Sequence, residues 1–243
     1  DTTSFLHKIA QQIAADCNLS FTNTVIVLPN KRARLFLLEA LKSTSNKTFF
    51  APEIISIEDL ITKISKMNSL SGVEQLFEFY EVYKEITPQN AQQDFEQFSN
   101  WAKMLLQDFN EIDRYLLKPP HVFDYLKNID DINHWSVKAE DRSVLIDNYL
   151  TFWDQLPTYY NAFTKHLIEQ NSGYQGLVYR VAVDNIDAFI KENSSKTIYF
   201  AGFNALNQAE EQIIQKLLKN GLAKVYWDTD AVFLNDPDHG AGY

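Results

Sequence analysis

The stretch Lys196–Leu218, KTIYFAGFNALNQAEEQIIQKLL, decides the fold. Ile198, Tyr199, Phe200 and Ala201 make a short apolar run rich in strand formers, and Gly202, Asn204 and Asn207 supply turn chemistry after it. From Gln208 the period changes. Ile213, Ile214, Leu217 and Leu218 recur at helical spacing, and Glu210 and Glu211 stand in the first turn, where the helix dipole favours acids. Strand, turn and helix in that order are the unit of an α/β sheet, whose ligands bind in the crevice at the carboxyl ends of the strands. The crevice segment here is Gly202–Asn207, and it holds no acid, base or nucleophile.

Outward from that unit, a further strand is expected at Lys224–Trp227 (KVYW). Near the other end, Phe5–Cys17 places Phe5, Ile9, Ile13 and Ala14 on one face of a first helix. Thr24–Leu28 (TVIVL) is a continuous apolar run, as in a strand covered on both faces, and Pro29-Asn30 stops it. Lys31, Arg32 and Arg34 then open a helix carrying Leu35, Leu38 and Leu41. These three cations sit beside the carboxyl end of a central strand, against the dipole preference of a helix start. They are either a solvated first turn or a contact for phosphate. A β-like segment, Phe49–Ile55, leads to Ser56 and Asp59, spaced to cap a helix over Leu60–Met67.

From Met67 to Ser195 the pattern is helical with almost no strand signal. Helices are expected at Val73–Ile86, at Phe95–Leu117 ended by Pro119-Pro120, and near His121–Ile132, Asp141–Gln170 and Gly176–Glu192. The order predicts an α/β core formed by residues 1–66 and 196–243, with a parallel sheet, split by a helical insertion at 67–195.

With 45% hydrophobic residues the 243-residue chain can bury a substantial core. Its net charge of −10 argues against a protein that coats nucleic acid generally. Residues 67–195 hold about 10 Lys+Arg against about 20 Asp+Glu, so the acidity lies in the insertion and the rest of the chain is balanced. The single cysteine, Cys17, excludes an internal disulfide framework and suits a reducing compartment. With no signal peptide and no apolar run of membrane-spanning length, a cytoplasmic protein without a membrane partner is expected.

The common catalytic motifs are missing from the sequence. A phosphate-cradling P-loop needs closely spaced glycines before Gly-Lys, but the first glycine is Gly72 and Gly-Lys does not occur. The PD-(D/E)XK nuclease centre needs acid-x-Lys on a strand, and no lysine has an acid two residues before it. His7, His121, His134, His166 and His239 are scattered without metal-ligand spacing. Asp108 and Glu111, in DFNEIDR, share a helix face that reads as solvated. One enzyme-like pattern remains. Asp228 and Asp230 form an Asp-x-Asp pair after a strand, as in nucleotide-sugar transferases that hold a divalent metal on a diphosphate. The pattern is short and common, no glycine-rich pocket accompanies it, and the EF-hand spacing fails.

The order VIVLPNKRARLFLLEAL, FAPEIISIEDLI, FEQFSNWAKMLLQDFNEIDRYL, IYFAGFNALNQAEEQIIQKLL and AKVYWDTDAVFLND resembles the N-terminal region of AddB-like proteins, of the Bacteroidetes type in the PD-(D/E)XK nuclease superfamily. These are helicase-nuclease subunits of DNA double-strand-break repair and recombination. The resemblance covers essentially the whole chain. It implies a sheet like that of P-loop NTPases, as in the first domain of a superfamily 1 helicase, interrupted by a helical subdomain. It places Ala201, Gly202, Asn204 and Ala205 at the degenerate Walker B position, where active relatives carry the acids that hold magnesium. It implies that Lys31, Arg32 and Arg34 touch DNA, single-stranded or at a duplex end and weakly in isolation. It further implies an AddA-like helicase-nuclease partner and a nuclease centre beyond Tyr243. No cofactor and no catalytic residue are expected in this chain. Lacking an initiator Met and ending in Gly-Ala-Gly-Tyr, it is expected to be a fragment. The function so expected is a non-catalytic scaffold for DNA and partner; the other class left open is a metal-dependent nucleotide-sugar transferase using Asp228 and Asp230.

Overall fold

A computed structural model describes residues 5–17, 20–44, 50–126 and 144–227. In chain order the elements are α1 (Phe5–Asp16), β1 (Thr24–Leu28), α2 (Ala33–Ser43), β2 (Glu53–Ser56), α3 (Ile57–Ser65), β3 (Asn68–Ser69), α4 (Gly72–Ile86), α5 (Phe95–Arg114) and α6 (119–126). They continue with α7 (Val144–Glu169), β4 (Ser172–Gly173), α8 (Gln175–Glu192), β5 (Thr197–Phe203), α9 (Gln208–Lys219) and β6 (Ala223–Trp227). The chain divides into two compact units, Asp1–Ser65 with Ala182–Tyr243, and Lys66–Val181. The division falls inside α8, whose second half belongs to the sheet unit, whereas the sequence pattern placed the return at Ser195.

The sheet unit is α/β, with a four-stranded parallel sheet in the order β2-β1-β5-β6. The run TVIVL is buried at all five positions because β1 is an inner strand with both faces covered. Its alternate residues Ile26 and Leu28, with Tyr199 and Ala201 of β5, pack against Ile9 and Ile13 of α1 and Leu37 and Leu41 of α2. Val25, Val27, Ile198 and Phe200 point the other way and are equally buried. Ser56 caps α3 as its spacing predicts: its Oγ accepts from the Asp59 amide (3.2 Å), and its own amide donates to Asp59 Oδ2 (3.3 Å).

Three local expectations change. The β5 strand runs through Gly202 to Phe203, with a register shift against β6 between Ala201 and Phe203, so the turn begins at Asn204. Gly202 sits at φ +78°, where only glycine is unstrained, and that conformation carries the bulge. Helix α2 begins at Ala33 and buries Leu37, Ala40 and Leu41, leaving Leu35 exposed. Positions 35, 38 and 41 also fit a helical period, which is why the pattern misplaces the buried stripe.

The helical unit is centred on Phe79 of α4, whose ring lies within 6.1 Å, centroid to centroid, of Phe98, Trp101, Phe109, Tyr159 and Phe163. Helix α4 starts in a Ser71–Glu74 capping box, and Asp94 caps α5 by accepting from the Gln97 amide (2.8 Å). Helix α5 ends at Arg114, earlier than its apolar pattern suggests. Leu116 takes the left-handed conformation (φ 54°), and the amides of Leu116 and Leu117 bond back to the carbonyls of Asp113 and Ile112. Pro119 and Pro120 therefore open α6, where a missing N–H costs nothing. The two-residue parallel pairing of β3 with β4 has no hydrophobic signal in the sequence.

Candidate nucleic-acid interface

The chain leaves β1 toward β2 on one side and later resumes at β5 on the other. The switch point of the sheet therefore lies at the carboxyl ends of β1 and β5, where open α/β sheets bind ligands. Two segments form it, Pro29–Arg34 and Gly202–Asn207.

After β1, Asn30 fixes the path. Its Oδ1 accepts from the amides of Arg32 (3.0 Å) and Ala33 (3.2 Å), an Asx turn that satisfies donors at the start of α2. The three candidate cations do not act alike. Lys31 reaches Asp59 at the start of α3, with Nζ 2.9 Å from Oδ1. The hydrogen bond to Asp59 raises the lysine above its ordinary value. Burial pushes Asp59 upward, but its hydrogen bonds from Lys31 and Ser56 outweigh this and hold the carboxyl below the usual range. Lys31 is thus a link between the exits of β1 and β2. Arg32 and Arg34 are exposed and have no ion-pair partner among the described residues. Two residues apart at the head of a helix, they point to different sides of it.

After β5 the positions are chemically blank. Ala201 is fully buried in the core. A Cβ on Gly202 would lie 3.7 Å from the Phe5 ring and 3.9 Å from Pro29 Cδ, so apolar groups already line the crevice there. Asn204 and Ala205 are exposed. The next acid along the chain, Glu210, is held in the capping box of α9: Asn207 Oδ1 accepts from its amide (2.9 Å), and the Asn207 amide donates to its carboxylate (3.0 Å).

Elsewhere, no group of three or more His, Cys, Asp or Glu among the described residues is placed to hold a metal. Asp228, Asp230, His134 and His239 lie outside the described residues. His7 lies beside Ser43 (Nδ1 to Oγ 3.4 Å), His121 is exposed, and His166 meets Glu78 (2.8 Å). Glu111 pairs with Arg114 at 3.7 Å, and Asp108 is not part of that pair. A cavity of about 590 Å³ opens at the amino ends of β1 and β2, lined in part by Phe21, Asn23, Glu53 and Lys196. It is at the opposite end of the strands from the switch point, and its charged groups form no catalytic constellation.

The sequence pattern does not reveal Phe36. It stands four residues after Arg32 on α2 with 63% of its surface in water, beside Leu35 at 70%. Its position within an apolar helix pattern conceals that exposure. No family model and no curated protein sequence matches the chain. No helix among the described residues is long and apolar enough to cross a membrane.

Proposed function

We propose that the chain is a non-catalytic, helicase-like module that binds DNA and a motor-nuclease partner, corresponding to the N-terminal part of an AddB-like subunit of double-strand-break repair. The reading treats its sheet as a P-loop-NTPase-type sheet without nucleotide chemistry. One observation supports it: the switch point of the sheet carries Ala201, Gly202, Asn204 and Ala205 and no acid, with Arg32 and Arg34 on its other side exposed and without an ion-pair partner among the described residues. Arg32 and Arg34 suit phosphate oxygens, because a guanidinium donates in a planar fork. Lys31 contributes by holding the segment in place through Asp59. Two cations give only weak binding alone, and an AddA-like partner would supply the rest of a basic channel, with the acidic helical unit turned to protein or solvent.

The test reverses Arg32 and Arg34 to Glu and leaves Lys31 intact, since a carboxylate at 31 would stand against Asp59 and disturb the cap of α3. Single-stranded DNA binding by the double variant should weaken, and the slope of log affinity against log salt should flatten by about 1 to 1.5, at roughly 0.7 for each phosphate that is no longer neutralised. An unchanged slope would mean that the arginines are only a solvated helix start.

A further inference from the structure

One helical turn along from Arg32 lies an open groove of about 430 Å³ between α1 and α2, lined by Leu6, His7, Phe36, Glu39, Ala40 and Ser43. The Phe36 ring is its most exposed apolar wall. Residues four apart on a helix are neighbours, so Arg32 and Phe36 share the solvent side of α2, away from the buried stripe of Leu37, Ala40 and Leu41. The polar atoms of the groove are of both kinds: the Glu39 carboxylate accepts, the Ser43 hydroxyl, which already donates to the Ala40 carbonyl (2.7 Å), can accept, and the His7 ring beside it can donate or accept.

The surroundings are basic although the chain carries a net charge of −10. Helices α1 and α2 with the turn before α2 contribute Lys8, Lys31, Arg32, Arg34 and Lys42, against Asp16 and Glu39. Lys31 is tied to Asp59 at 2.9 Å and Asp16 to Lys224 at 2.8 Å, which leaves Lys8, Arg32, Arg34 and Lys42 against Glu39. The apolar part of this face is small. Leu6, Phe36 and Ala40 make up the apolar lining, and with about 150 to 250 Å² for the aromatic side chain they fall well short of the roughly 800 Å² per partner of a stable protein interface. They are enough for one base, whose flat face stacks on an aromatic ring while its edge is hydrogen-bonded.

We infer that this groove takes an unstacked nucleobase of a single strand, with Phe36 as the stacking platform and Arg32 on the adjoining phosphate. The inference rests on the nucleic-acid reading above and narrows it, since a base inside a duplex is not free to enter. The test compares two labelled strands of equal length, oligothymidylate and an abasic strand with the same backbone, binding to the 243-residue chain at low salt. Phe36→Ala should weaken oligothymidylate about tenfold without changing the abasic strand, and Phe36→Trp should restore the difference. Because the ring is exposed, neither substitution removes core packing. Equal affinity of the unaltered protein for both strands, or equal effects of Phe36→Ala on both, would overturn the base site while leaving the phosphate contacts standing. Insensitivity of both strands to Arg32→Glu/Arg34→Glu would overturn the nucleic-acid reading itself, and the groove assignment with it. Loss of a protein partner on Phe36→Ala with oligothymidylate binding unchanged would assign the face to protein and refute the inference.

Discussion

Gly176, at the first turn of α8, shows how much one missing carbon decides. A Cβ there would lie 2.2 Å from the carbonyl oxygen of Asn110 and 2.9 Å from the amide of Arg114, both backbone atoms of α5 that no rotamer change can move. The Gly176 amide also donates to Asn110 Oδ1 (2.7 Å), so the close approach is held by a hydrogen bond. Gly176→Ala should cost upward of about 2 kcal/mol in urea unfolding, by forcing apart two helices that touch backbone to backbone. A loss below about 0.5 kcal/mol would contradict it. Such a role is invisible in sequence, because a lone glycine before an apolar run reads only as a helix start. The same holds for Asp113. In DFNEIDR it looks like one more solvated acid, yet it is fully buried, and its partners come from 47 to 67 residues away. By contrast, the strand itself was legible, since Ile198 to Ala201 are an unmistakable β-forming run, although its continuation through Gly202 to Phe203 was not.

Asp113 joins three helices. Its Oδ1 accepts from Tyr160 of α7 (2.5 Å) and from Nε of Arg180 of α8, and its Oδ2 accepts from Tyr174 just before α8. Arg180 also donates to the carbonyls of Ile112 (3.1 Å) and Leu117 (2.6 Å), so a cation closes the carboxyl end of α5. Breaking such a buried pair by removing one partner costs about 3 to 5 kcal/mol, although an apolar replacement of the whole network need not. The tyrosines give it a pH signature. Burial first, and then the Asp113 charge, push both phenols well above their ordinary value. In the unfolded chain they ionise near about 10, so above that pH the unfolded state binds fewer protons than the native one and stability falls. The contribution is fully present below about pH 10. Tyr174→Phe should lower stability at neutral pH by about 1 to 3 kcal/mol, because Asp113 is left without that donor, and make the decline above about pH 10 shallower. Thermal melts across that range check it, and an alkaline limb as steep as the parent's would refute it. At this scale the sequence is most readable in the strands and helix starts. TVIVL, Ser56–Asp59 and Asn207–Glu210 act locally, whereas the ends of α5 and β5 depend on partners elsewhere.

Across the molecule, a four-stranded parallel sheet ends in a switch point whose β5 side, Gly202–Asn207, carries no acid. With no glycine cradle before Gly72 and Ala201–Gly202 at the crevice, magnesium ATP should show no saturable binding in calorimetric titration, and no hydrolysis. Micromolar, magnesium-dependent binding would overturn that expectation. The architecture was legible because apolar runs and helical periods alternate plainly, and the acidic character of residues 67–195 marked the helical region. What composition could not give was the unit boundary inside α8. The pairing of Val25 with Ile198 places the central ladder of the sheet across the entire helical unit. As the chain emerges from the ribosome, the compact unit Lys66–Val181 is complete before β5 has been made, so its helices are expected to close first and the sheet last. Until then TVIVL, an uncharged strand of high β-propensity, has one neighbour where the finished sheet gives it two. A chain cut short before Thr197 would retain the helices of Lys66–Val181 and expose its stickiest strand. The cost of this connectivity therefore falls on newly made protein, as a risk of aggregation during synthesis.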